Sequence, residues 1–254
     1  MRAYWHGEGN WGDILTPLLV ERLSGDRPRF SRRGGKLLAA GSILHQARKG
    51  DLVWGAGILS PSLAPSPRVA RSLDCRAVRG PLTRAILIEL GATVPEVYGD
   101  PGLLAGRLFD VTRVEVGHEL GVVPHYTDLE RARALLPEDV LVIDITSGLE
   151  PVVQQIASCA IIASSSLHGV VAAEALGRRV VWFKLGEDIW GWPFKFQDHF
   201  LATGRIIQPL ELSGEADPLA ALRSAAVDAA PPPSFDLDAL LAACPFATRP
   251  LPAH

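Results

Sequence analysis

Short, nearly continuous Val/Ile/Leu-rich runs alternate along the chain with segments of helical periodicity. This alternation restricts the fold more than any other feature. "DVLVIDIT" (139–146), "CAIIASS" (159–165) and "RVVWFKL" (179–185) lack the strict polar alternation of half-exposed strands. Strands covered on both faces read this way, which is the pattern of parallel sheets flanked by helices. Comparable runs are "RAYWH" (2–6), "KLLAAG" (36–41), "DLVWGAG" (51–57), "CRAVRG" (75–80), "EVYGD" (96–100), "LGVVPHY" (120–126) and "RIIQPL" (205–210). Helical segments lie between them. "DILTPLLVERLSG" offers Asp13 or Thr16 as N-cap with Pro17 in the first turn, and "GPLTRAILIELGA" places Pro81 first and stops at Gly91. "EPVVQQIASC", "LHGVVAAEALG" and "DPLAALRSAAVDAA" follow the same pattern. The expected class is α/β with doubly wound sheets. Residues 105–118 read as a crossing between halves. The expected architecture is therefore two Rossmann-like domains facing a cleft, 1–112 and 113–230, followed by a Pro-rich linker, short helix and frayed tail over 231–254.

Composition excludes several classes. The formal charge of −3, with no block of like charges, argues against a general nucleic-acid surface but leaves room for a local cationic pocket. Cys75, Cys159 and Cys244 are far apart and form no CxxC or zinc spacing, which fits buried thiols in a reducing compartment. No run of about 20 apolar residues offers a membrane helix, and "MRAYWHGEGNWGD" lacks the apolar stretch of a signal peptide. The expected location is cytoplasmic, or peripheral to the inner membrane face. Walker, HExxH, EF-hand and zinc patterns are missing, so no obligatory metal or cofactor is expected.

Five stretches carry candidate chemistry. Gly7-x-Gly9-x-x-Gly12 has dinucleotide-binding spacing, yet "GDRPRFSRRGG" supplies no strand ending in an acid about 20 residues on to hold a ribose. Asn10, Gly12 and Asp13 then form either a tight turn with a cap or a set that orients a substrate hydroxyl. Arg79 ends a strand beside Gly80-Pro81, joining a guanidinium fork to a helix N-terminus, and both suit a carboxylate or phosphate. Arg76 is displaced by an odd number and faces the other side. Asp100 enters Pro-Gly and either caps a turn or positions Arg79 or a hydroxyl. "SSSLHG" (164–169) brings Ser165, Ser166, Gly169 and His168 to a strand-to-helix turn that can cradle an anion, with His168 able to exchange protons near neutral pH. GxSxG is lacking, so this is not a Ser–His hydrolase. Lys195 follows Trp190 and Trp192; its ammonium suits phosphate, and the indoles suit a sugar face or a core.

Together these motifs resemble the polysaccharide pyruvyl transferase family over most of residues 1–205. The resemblance rests on Asn10-x-Gly12-Asp13, "VWGAGI" (53–58), Arg79-Gly80-Pro81, Gly99-Asp100-Pro101, "GVVPHYTD" (121–128), Ser165-Ser166-Leu167-His168-Gly169 and Lys195-Phe196-x-Asp198, in that order. It implies a GT-B-like fold and transfer of pyruvate from phosphoenolpyruvate onto two hydroxyls of a sugar, closing a cyclic ketal. It also implies donor-binding and catalytic roles for Arg79, His168 and Lys195. Ser165, Ser166 and Gly169 are assigned to the donor, and Asn10, Gly12, Asp13, Asp100, His125 and Trp192 to a carbohydrate acceptor, free or lipid-linked. Ser166 stands where many members carry Arg; Arg178, Arg179 and Lys184 are the cations available to substitute. The chain is also short for the family. The alternatives are a nucleotide-sugar glycosyltransferase of the same architecture, an inactive sugar- or anion-binding module, and a nicotinamide oxidoreductase supported by glycine spacing alone.

Overall fold

A computed structural model of the chain describes residues 1–7, 9–186 and 190–251. The described residues form two compact units. The first takes Met1–Leu104, Trp190–Ile206 and the described part of Ser234–Ala253; the second takes the described part of Ala105–Ile189 and Ile207–Pro233. In chain order the first unit contributes β1 (Arg2–Tyr4), α1 (Thr16–Ser24), β2 (Arg29–Phe30), β3 (Leu37–Leu38), β4 (Leu52–Trp54), α2 (Pro67–Ala70), β5 (Asp74–Ala77) and α3 (Pro81–Glu89). The second follows with α4 (Ala105–Leu108), β6 (His118–Val123), α5 (Leu129–Leu135), β7 (Leu141–Val142), α6 (Leu149–Ala157), β8 (Cys159–Ser164), α7 (Leu167–Ala175) and β9 (Arg179–Lys184). The chain then gives α8 (Phe194–Leu201) to the first unit, β10 (Leu210–Glu211) and α9 (Pro218–Val227) to the second, and α10 (Leu237–Ala242) to the first.

Each unit is built on a five-stranded sheet, ordered β2-β1-β3-β4-β5 in the first and β10-β9-β8-β6-β7 in the second. Every strand pair is parallel. Counted from its own first strand, each sheet has the order 2-1-3-4-5. The chain therefore reverses direction between β1 and β3, and again between β6 and β8. In open α/β sheets, ligands bind outside the carboxyl ends of the strands at such a reversal. This topology is what positions the candidate sites.

The strands are shorter than the apolar runs suggested, because buried loops continue the apolar pattern beyond the ladders. Residues 96–100 contribute only the bridge Val78–Tyr98. The run 139–146 reduces to two paired residues, although Ile143 and Ile145 are buried. The two exposed residues of β2 carry no apolar pattern and were not foreseen. Leu15 precedes α1 where Asp13 or Thr16 was expected; Pro17 sits in the first turn and Gly25 closes the helix at φ 82°. Each unit has its own apolar cluster: Leu38, Val53, Ile58 and Leu87 in the first, and Val122, Ile161, Val181 and Phe183 in the second.

The C-terminal segment differs from the frayed tail expected from its prolines. The Trp54 indole N–H donates to the Leu240 carbonyl at 2.8 Å, and Phe246 packs edge-on against the same ring at 5.4 Å. The N–H groups of Thr248 and Arg249 donate to the Leu23 carbonyl. Residues 252–254 of that expected tail lie outside the described residues. Leu240 is fully buried, so Leu240→Ala is expected to lower the unfolding free energy by about 2–5 kcal/mol. Urea titration of the two chains measures it, and an unchanged midpoint would contradict the packing of α10.

Candidate functional site

In the first unit, Arg79 lies two residues beyond β5, at the carboxyl edge. Its guanidinium is wholly buried and engaged. Nε donates to Asp198 Oδ2 at 3.0 Å, Nη1 to Ser42 Oγ at 2.5 Å, and Nη2 to the Ile58 carbonyl at 2.6 Å. Asp198 also accepts the Thr83 N–H at 2.9 Å and the Thr83 hydroxyl at 2.7 Å. One buried ion pair thus ties together the loops after β3 and β4, the start of α3, and α8. A buried pair is tolerated where hydrogen bonds satisfy its remaining valences, as here. The contact requires glycine at position 80, because a Cβ there would overlap the Asp198 carbonyl oxygen.

Lys195 precedes Asp198 by three residues and shares its helical face. The sequence order had grouped Lys195 with His168. The return of residues 190–206 to the first unit groups it with Arg79 instead. The residue is 8% exposed. Its Nζ lies 5.6 Å from the Phe196 ring centroid, and among the described residues it makes no hydrogen bond or ion pair. Burial and then the neighbouring Arg79 charge pull its pKa down to about 8, with Asp13 acting in the opposite direction. Lys195 is therefore the buried cation of this edge without an ion pair among the described residues, whereas Arg79 is the cation whose bonds hold the edge together.

Asn10 and Asp13 build a reciprocal turn after β1. Asn10 Oδ1 accepts the N–H groups of Gly12 at 3.1 Å and Asp13 at 3.4 Å, while Asp13 Oδ2 accepts the Asn10 N–H at 3.3 Å. Gly12 is buried in this turn. Asp100 is fully buried, and its carboxylate accepts the N–H groups of Gly41 and Gly102, each at 2.9 Å. These bonds shape the glycine loop after β3. Trp192 packs edge-on against Phe196 at 5.0 Å, while Trp190 is 75% exposed. Sequence reasoning passed over His6 and His45, which follow β1 and β3 at the reversal point. Burial lowers the His45 pKa, the Ser42 carbonyl raises it, and His6 lowers it further. Their only sequence signal is position just beyond two strand ends.

In the second unit, the reversal point lies between β6 and β8. Ser165 Oγ accepts the His125 N–H at 2.8 Å, and the Ser165 N–H donates to the Val123 carbonyl at 3.1 Å. The His125 ring bonds Thr127 Oγ1 at 2.7 Å. Ser164 Oγ lies 2.9 Å from the carbonyls of Val123 and Ser166, and accepts the Ser166 N–H at 3.1 Å. The serine hydroxyls thus fasten the ends of β6 and β8 as well as lining the turn. Ser166 is the N-cap of α7, and His168 and Gly169 occupy its buried first turn. A Cβ on Gly169 would overlap Ser164 Oγ. Of the cations considered as substitutes at Ser166, Arg178 and Arg179 stand at the opposite, amino end of β9. There an Arg178 Nη2 donates to the Ala157 carbonyl at 2.8 Å. Lys184 is at the carboxyl end and lies 3.8 Å from Glu211.

The sequence model of the polysaccharide pyruvyl transferase family matches residues 12–186. The chain belongs to this family. The match includes Asp13, Arg79, Asp100, His125 and the Ser165–Gly169 turn, and it ends before α8, which carries Lys195 and Asp198. The chain is similar to an uncharacterized protein of Acanthamoeba polyphaga mimivirus, 34% identical over 65% of this chain and 58% of the relative. It is also similar to the succinoglycan biosynthesis protein ExoV of Rhizobium meliloti (strain 1021), 28% identical over 81% of this chain and 66% of the relative. The chain thus spans less than two thirds of the length of either relative. No solved structure matches the chain. Among the described residues no helix is long and apolar enough to cross a membrane, and no group of three His, Cys, Asp or Glu is placed to hold a metal. All three cysteines are buried and free, and burial pushes Cys75 up to about 12 and Cys244 up to about 11.

Asp198→Ala is expected to cost about 3–5 kcal/mol of unfolding free energy, because it strands the Arg79 charge in the interior. The Asp198→Ala/Arg79→Met double variant should recover part of that loss in the same urea titration. Equal losses in both variants would show that the stranded charge is not the cause. The Lys195 pKa sits below the ordinary lysine value of about 10.4, so the unfolded chain retains a proton that the folded chain releases first. This group alone makes folding more favourable as pH rises from about 8 to about 10.4. Anion binding goes the other way, since it needs the charged amine. Affinity for inorganic phosphate, measured by calorimetry, should fall between about pH 7 and about pH 9, and in Lys195→Arg the fall should move above about pH 10. A pH-independent affinity in the unsubstituted chain would remove Lys195 from anion binding.

Proposed function

We propose that the chain transfers pyruvate from phosphoenolpyruvate to two hydroxyls of a sugar in a polysaccharide or glycan precursor, forming a cyclic ketal. Family membership supports the reaction class. The observation that carries the assignment of parts is the buried Lys195 ammonium, held beside Arg79 and Asp13 without an ion-pair partner among the described residues. Phosphoenolpyruvate brings a phosphate and a carboxylate, which call for preorganised cations and N–H donors. Lys195 takes the phosphate. Arg79 positions Lys195 through Asp198 and adds its charge to the same edge. The Ser165–Ser166 turn and Gly169, at the start of α7, supply N–H and hydroxyl groups to the donor. Asn10, Gly12, Asp13 and Asp100 shape the acceptor side, with His125 and Trp192 assigned to the sugar. The exposed Trp190 suits a sugar face equally well.

The reaction balances as follows. A proton is delivered to the enol methylene, so that C2 becomes electrophilic. The first sugar hydroxyl adds to C2 and loses its proton. The C2–O bond to phosphate then breaks, and the second hydroxyl adds at C2 and loses its proton. One of the two hydroxyl protons replaces that given to the methylene and the other leaves with inorganic phosphate. His168 carries the proton to the methylene, since an imidazole exchanges protons at neutral pH.

His168→Ala is expected to keep the fold, with a cooperative unfolding transition, and lose phosphoenolpyruvate-dependent phosphate release by a factor of about 10²–10⁴. The assay screens acceptor glycans with phosphoenolpyruvate and reads ketal formation by mass spectrometry. Full turnover by that variant would remove the proton-transfer role. Thermal stabilisation by a nucleotide sugar but not by phosphoenolpyruvate would replace the reading with glycosyl transfer.

A further inference from the structure

The first sheet carries a second cationic feature at its β2 edge. A cavity of about 470 Å³ opens there, lined by Arg2, Arg29, Phe30, Ser31, Arg32 and Arg33. Along the sequence these arginines are broken up by Pro28, Phe30 and Ser31, so they form no continuous charge block. The fold concentrates them. β1 and β2 pair Arg2 directly with Arg29, and like charges opposite one another in a ladder are unfavourable. Ser31 is buried, donates its N–H to the Ala3 carbonyl at 2.9 Å, and accepts the Arg33 N–H on its hydroxyl at 3.1 Å. This turn presents Arg32 and Arg33, and the Arg32 guanidinium lies over the Phe30 ring at 5.8 Å.

No carboxylate lines the cavity. Among the described residues Arg29, Arg32 and Arg33 form no ion pair, and Arg2 has one bond, to the Gly35 carbonyl at 3.5 Å. Elsewhere Arg27 pairs with Glu21, Arg76 with Asp74, and Arg133 with Glu130, while other exposed arginines such as Arg68 and Arg223 form no ion pair among the described residues; what sets the β2 edge apart is that four such arginines line one cavity. A chain of net charge −3 has acids available for neutralisation, yet none is used here. Four guanidinia gathered without a counter-charge repel one another and favour an anion between them. Planar guanidinium forks grip phosphate oxygens bidentately. Phe30 is 48% exposed and offers an apolar surface beside them. Behind the groove, Phe30 contacts the end of β1. The Tyr4 ring contacts Phe30 at 5.6 Å and His6 at 5.5 Å, and its phenol feels Arg32 and Asp13 in opposite directions.

We propose that this groove is a separate binding site for a phosphate or diphosphate ester, with the arginines on the phosphate oxygens and Phe30 against the adjoining carbon skeleton. The site does not depend on the transferase reading. A soluble phosphate ester and a phospholipid headgroup share this chemistry. The test uses the full chain carrying Lys195→Met, so that the first site does not contribute, with and without Arg29→Ser and Arg33→Ser. These two arginines are exposed, so melting temperature should be unchanged. Calorimetry with inorganic pyrophosphate, and co-sedimentation with phosphatidylglycerol or phosphatidylcholine vesicles, read binding directly. The expected result is pyrophosphate binding that weakens about tenfold or more in the arginine variant. Pyrophosphate binding without sedimentation identifies a soluble ester. Arginine-dependent sedimentation with phosphatidylglycerol alone, reversed by pyrophosphate, identifies a headgroup. Absence of both, or binding that ignores the arginine substitutions, overturns the proposal and leaves the arginines as charges that keep the edge of β2 from pairing.

Discussion

The Asp198–Arg79 ion pair joins side chains 119 residues apart, and the site of the first unit depends on it. It brings α8 back to the first sheet after the chain has built most of the second. Without that return, Lys195 would not share a carboxyl edge with Arg79 and Asp13. The pair is expensive to bury, and it persists because Thr83, Ser42 and the Ile58 carbonyl complete its hydrogen bonds. Glycine at position 80 removes the side chain that would otherwise hold the helix away. Position, charge and close approach therefore act together in fixing one lysine.

The same strand order occurs in both units, yet the two reversal points carry different chemistry. The first has a buried cation, a carboxylate turn and two histidines beyond strand ends. The second has serines that fasten β6 to β8, and a histidine in the first turn of α7. A shared topology supplies comparable positions at the carboxyl edge, and the residues placed there decide what each edge can do.

Much of the architecture was legible in the sequence, for physical reasons. Doubly covered strands leave continuous apolar runs, and Pro17, Pro81 and Gly91 punctuate helices as expected. Strand lengths were not legible, because buried loops such as Gly41–Leu44 extend the same apolar signal. The return of α8 was hidden too, since nothing in a linear pattern announces that Asp198 meets Arg79. Arg79 was found as a cation at a strand end, but the carboxylate that engages it lies on another element. The serines were found as a cluster, while their bonds to the strand ends depend on which strands are neighbours. His6 and His45 stand singly in the sequence, and only strand order brings their positions to one edge.

The central claim is that Lys195 is the buried cation that receives the donor phosphate. The most direct measurement is the rate of acylation of Lys195 by a neutral amine reagent, followed by mass spectrometry near pH 8, with phosphoenolpyruvate or a nucleotide sugar added. The account predicts that phosphoenolpyruvate slows modification of Lys195 while surface lysines such as Lys49 are unaffected, and that the nucleotide sugar does nothing. An unchanged Lys195 rate with phosphoenolpyruvate, or protection by the nucleotide sugar alone, would contradict it.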